Sequence, residues 1–127
     1  MPEFLSDAWL VALDEAARRA PPVPDVAPFV IEQVVNEGDG TESTYHLVFT
    51  ATEIRVVAGA APDADVTFAT DLDTATQLAR GDNNAQQALA AGRFRIYGNL
   101  DSLTRRAAGL RALSDIFAAV RADTTYR

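Results

Sequence analysis

Residues able to do chemistry are few in this chain, and their spacing does not assemble a reaction. His46 is the only histidine. It could serve as a general base for Ser6, Ser43, Ser102 or Ser114, but none of these serines stands in the Gly-x-Ser-x-Gly turn that exposes a nucleophile. The run "STYHLVFT" alternates Tyr45, Leu47 and Phe49 against Thr44, His46 and Thr50, which places the imidazole on the polar face of a strand. A zinc site at His46 would need carboxylates for almost all its other ligands, an unusual set. The pairs Asp63/Asp65 and Asp71/Asp73 sit beside a proline turn and at a helix start, where short acidic side chains serve as turn and cap residues. The alternating Asp/Asn pattern of a calcium loop is absent. With no cysteine and no lysine, thiolate chemistry, cysteine-ligated metals, Schiff bases and the P-loop are excluded. No catalytic residue, metal ligand or cofactor is assigned.

Two further patterns carry weaker signals. Gly92 and Gly98 bracket "RFRIY", yet a phosphate loop sets its glycines between a strand and a helix. Here they bound a strand, with Phe94 and Ile96 on one face and Arg95 and Tyr97 on the other. Gly92 reads as a helix cap and Gly98 as a strand end or bend. Arg93, Arg95, Arg105, Arg106 and Arg111 concentrate positive charge, but in a chain of net charge −7 they read as solvated edge and surface residues, not a nucleic-acid footprint. An arginine at a pocket mouth steadying a ligand carboxylate is a further use of such residues.

The elements that must position these side chains follow from the periodicity. Residues 3–20 read as a helix with Leu5, Trp9, Ala12, Leu13 and Ala16 on its apolar side, stopped by Pro21, Pro22 and Pro24. Residues 21–28 read as a stiff extended connector. Strands follow at 29–37, 43–50, 52–59 and 64–70. Short connections between them predict an antiparallel meander with one apolar face. Residues 72–80 read as a helix capped by Thr70 or Asp71 and closed by Gly81, and a second short helix runs from Asp82 to Ala91. Asp101 or Ser102 caps a last helical stretch carrying the stripe Leu103, Ala107, Leu110, Leu113, Phe117 and Val120, with a break near Gly109. A chain of 127 residues fits one domain. The predicted class is α+β, a five-stranded, mostly antiparallel sheet with helices covering one face. The N-terminal residues lack the features of a secretory signal, and no apolar run approaches the ~20 residues of a membrane span. A cytoplasmic protein without stable membrane insertion is expected.

What remains is apolar, and periodicity does not separate a filled core from a cavity. The segment Gly92-Arg93-Phe94-Arg95-Ile96-Tyr97-Gly98-Asn99 resembles the glycine–basic–apolar–basic–apolar–x–glycine–Asp/Asn run of the sterol carrier protein 2-like domain family, particularly its small actinobacterial members. Upstream, "TDLDTATQLARGDNNAQQALAAG" is similar to the family's acidic start and paired short helices, and "YHLVF", "IRVVAG" and "ADVTFATD" suit its strands. The likeness spans roughly residues 27–121. It implies a five-stranded sheet and an apolar tunnel beneath the helices that takes lipids, fatty acyl chains or sterols, without catalysis. Carried over, the tunnel walls are Leu47, Phe49, Val56, Phe68, Phe94 and Ile96 from the strands, facing Leu103, Leu110, Leu113 and Phe117. The chain departs from the family's peroxisomal members in ending Thr-Thr-Tyr-Arg. Its N-terminal helix offers Phe4, Trp9 and Leu13 to cover a tunnel mouth or pair two subunits as a homodimer. The alternative is a non-catalytic interaction or dimerisation module with a collapsed cavity, serving a partner enzyme.

Overall fold

The computed structural model describes every residue except 1, 24, 27, 84, 100, 102–104 and 127. Helix α1 (Asp7–Arg19) begins where Ser6 accepts a hydrogen bond from the Trp9 amide, and it ends on Arg18 and Arg19, which suit the negative pole of the helix. It starts four residues later than its periodicity suggests. Residues 2–4 are instead tied to the other end of the chain, the Phe4 amide donating to Thr125 O at 2.9 Å and the Thr125 amide to Pro2 O at 2.8 Å. The proline connector is not uniformly extended either. It turns where Val26 N donates to Val23 O, and Val26 is buried in the core.

Strands β1 (Phe29–Asn36), β2 (Glu42–Phe49) and β3 (Ile54–Ala58) form an antiparallel meander. Strand β4 (Val66–Asp71) departs from the expected pattern by pairing in parallel with β1, and β5 (Phe94–Gly98) closes the order β3-β2-β1-β4-β5. The reason is the shortness of β3. It stops at Ala58, level with Tyr45 and hence with Gln33, while β4 starts at Val66, level with Ile31. The chain therefore retreats by only two residues while crossing three strand spacings, about 14 Å, well within the ~23 Å reach of seven extended residues. Glu32 holds this crossover, its carboxylate accepting from the Ala61 amide at 2.8 Å and from the Thr67 hydroxyl at 3.1 Å. The result is an α+β fold with a mixed, mostly antiparallel five-stranded sheet.

Helix α2 (Leu72–Arg80) is capped by Asp71, which accepts from Thr74 N, and ends at Gly81 with φ +81°. Helix α3 (Ala85–Ala90) begins three residues beyond Asp82 and closes at Gly92, φ +75°, with Arg93 N donating to Ala88 O. Helix α4 (Ala107–Arg121) runs unbroken through Gly109. The interruption falls at Arg106, whose φ of −110° and ψ of 36° leave the helical region. Gly109 is needed for contact: a Cβ there would lie 3.0 Å from Val26. The proposed cap at Ser102 lies outside the described residues. One core joins Trp9, Leu13, Phe29, Ile31, Leu47, Phe49, Ile54 and Ile116, all nearly inaccessible.

Candidate functional site: an apolar cavity between sheet and helices

Two rows of inward residues on the sheet make the floor of a cavity. The register places Tyr45, Gln33, Phe68 and Ile96 side by side across β2, β1, β4 and β5. Two residues further along, Val35, Thr70 and Phe94 form a second row. Successive strand side chains alternate faces, so both rows look toward the helices. The roof consists of Ala75, Leu78 and Ala79 of α2, Leu89 of α3, and Leu110, Leu113, Ser114, Phe117 and Arg121 of α4. Phe4 closes one part of the wall, and the cavity has a volume of about 610 Å³. Rings brace it: Phe68 packs on Phe94 at 5.2 Å, while Trp9 meets Phe4, Tyr45 and Phe117 at 4.8, 5.6 and 5.9 Å.

Six of the ten residues expected at a tunnel line this space: Phe68, Phe94, Ile96, Leu110, Leu113 and Phe117. Leu47, Phe49 and Val56 are buried on the same face but belong to the solid core and do not line it. They sit toward the β3 edge, against which α1 packs. Leu103 lies outside the described residues. The strand alternation could have found Tyr45 and Val35 as well, since they share the faces of Leu47 and Ile31. Gln33 was hidden by its type, because an amide on an inward face breaks the apolar pattern.

The polar groups of the site are sparse. Arg121 donates from Nε to Ala79 O at 2.8 Å, and its guanidinium lies against Gly81. Thr70 is occupied by the carbonyl of Arg93, at 2.6 Å. Burial pushes the Tyr45 phenol well above the ordinary tyrosine range, so it is a neutral O–H at any physiological pH. His46 stands on the opposite face, its Nδ1 2.9 Å from Gly59 O. Among the described residues, no cluster of three or more His, Asp or Glu side chains comes together to hold a metal, and no helix is long and apolar enough to cross a membrane. The arginines are partly engaged: Arg93 pairs with Asp73 at 2.6 Å, and Arg106 reaches inward to Val26 O and lies 4.9 Å over the Phe29 ring.

A sheet with helices roofing a largely apolar cavity defines the class of fold, and the comparisons agree on the family. The model of the SCP-2 sterol transfer family matches residues 12–110, and the chain belongs to that family. Its backbone is similar to that of sterol carrier protein 2 from Yarrowia lipolytica in the apo form, at 20% identity, 92% coverage of each chain and a TM-score of 0.65. The sterol carrier protein domain 2 of Helicoverpa armigera gives 20% identity, coverage of 92% of this chain and 91% of that one, and a TM-score of 0.64. The palmitated sterol carrier protein 2-like 2 of Aedes aegypti gives 17% identity, coverage of 87% and 85%, and a TM-score of 0.52. No curated protein matches significantly in sequence.

Proposed function

We propose that the protein is a non-catalytic carrier that holds a lipid, fatty acyl chain or sterol-like molecule in the cavity between sheet and helices. The observation that carries this reading is the cavity itself: about 610 Å³ with mostly apolar walls, inside the ~300–1,000 Å³ range of small-molecule sites. A space of this size favours the carrier over the alternative, an interaction module with a collapsed cavity. The palmitated relative supports an acyl occupant. Binding rests on apolar burial, at about 25 cal/mol per Å² removed from water, with Phe68, Phe94, Ile96, Leu110, Leu113 and Phe117 as the principal contacts. Such a mechanism needs no reactive side chain, which agrees with the scarcity of chemistry in the sequence. The alanine-rich, lysine-free composition fits a small actinobacterial-type member acting in the cytoplasm.

The test exploits the two faces of β5. Ile96 is half-buried on the cavity floor, and Tyr97 beside it is 53% exposed. In titrations with a fluorescent fatty acid, Ile96→Arg loses uptake while Tyr97→Arg binds like the unaltered protein, both remaining folded by circular dichroism. Equal binding by a folded Ile96→Arg would overturn the carrier reading.

A further inference from the structure

The floor of the cavity carries two polar side chains where an apolar carrier has no use for them. Tyr45 and Gln33 are directly opposed on β2 and β1, and both line the cavity. Tyr45 is 3% exposed. Neither side chain has a hydrogen bond to another described residue, although Tyr45 has ring contact with Trp9. The indole N–H of Trp9, also fully buried, has no acceptor among the described residues. Gln33 is half-buried and Tyr45 buried, and both face the open space of the cavity, so a ligand oxygen there would meet polar groups that the protein leaves unengaged.

We propose that Gln33 and Tyr45 form a hydrogen-bonding subsite for a neutral carbonyl oxygen, so that the ligand is a hydrophobic ketone or ester buried carbonyl-first. The proposal deepens the carrier reading and rests on it. The donors of the pair favour such an oxygen: the phenol O–H and the amide N–H can each donate, and a carbonyl oxygen accepts two hydrogen bonds. A carboxylate is disfavoured at this spot because it would be desolvated with no compensating cation. Arg121, the cation that lines this cavity, has its Nε engaged by Ala79 O at 2.8 Å and its guanidinium against Gly81, at the end of α2. Arg121 accordingly serves the cavity rim and not the subsite.

The test displaces a fluorescent acyl probe with three ligands of one chain length: tetradecane, 2-tetradecanone and myristate. The proteins are the unaltered chain, Tyr45→Phe, which keeps the ring and its packing on Trp9, and Gln33→Leu. The ketone is expected to bind the unaltered protein more tightly than the alkane, and each variant to weaken the ketone roughly five- to tenfold while leaving the alkane unchanged or slightly tighter. The infrared C=O stretch of the bound ketone should lie at lower frequency in the unaltered protein and shift up in Tyr45→Phe, a change that altered packing alone would not produce. Equal loss for all three ligands, or an unshifted carbonyl band, would overturn the subsite. Myristate binding that is stronger than that of the ketone and sensitive to Tyr45→Phe would overturn it too, since it would place a carboxylate there. If the probe itself does not bind the unaltered protein, the carrier reading fails along with it, a result distinct from loss of head-group selectivity alone.

Discussion

At the scale of single residues, Asp14 shows how a surface helix is locked to a sheet edge. Its carboxylate accepts from the Val56 amide at 2.7 Å and from Arg55 Nε at 3.0 Å, so it occupies a hydrogen-bonding position that edge strand β3 would otherwise leave open. Desolvation pushes its pKa up, but the hydrogen bonds from Arg55 and Val56 and the charges of Arg55 and Arg18 outweigh it, and the net result lies below the ordinary 3.8. A depressed carboxylate stabilises the fold above the ordinary value and loses that contribution as pH falls through the folded pKa. Asp14→Ala should therefore cost about 1–3 kcal/mol at pH 7, with the difference from the unaltered protein shrinking as pH falls below the ordinary 3.8 in urea unfolding; a pH-independent difference would contradict it. Nothing in the local sequence marks this pair, because Asp14 and Arg55 are 41 residues apart. The sequence did show the inward set of β5 and α4, since alternation and helical spacing fix which side chains share a face. It did not show that Leu47, Phe49 and Val56 face solid packing, because burial and cavity lining have the same period.

At the scale of elements, the glycines bounding β5 have different tasks. Both take positive φ, +75° at Gly92 and +109° at Gly98. A Cβ at Gly92 would meet open space, whereas at Gly98 it would fall 2.4 Å from Asp65 O. Gly92→Ala should cost about 1 kcal/mol of helix-cap strain, while Gly98→Ala must displace the β4 entrance and should cost several-fold more, read as urea midpoints of the two variants. Equal costs would show that backbone conformation alone, and not the close approach to Asp65, governs Gly98. The helices were legible from their caps, Asp71 and Gly81 above all. The parallel pairing of β4 with β1 was not, because it depends on where β3 happens to stop, a tertiary fact with no local signature.

At the scale of the whole molecule, the two chain ends are part of the cavity's closure. Phe4 lines the cavity and touches both Trp9 and Tyr126, while its amide is held by Thr125. Ligand passage through this end requires α1 and α4 to part. Phe4→Ala removes a buried ring, so it should destabilise the protein by about 3 kcal/mol and speed release of a fluorescent acyl probe about tenfold in stopped-flow measurements. An unchanged release rate would place the exit elsewhere. The resemblance in "GRFRIYGN" reached the family and so the architecture, but the shape of the void comes from how four strands and three helices meet.

The most direct measurement is native mass spectrometry of the freshly purified protein, with solvent extraction and identification of what is released. The account predicts a mass excess from one hydrophobic molecule bearing a neutral carbonyl, which disappears on extraction and returns on reloading. A protein that emerges empty, and that also ignores a fluorescent fatty acid added in excess, would contradict the claim that this cavity carries a ligand.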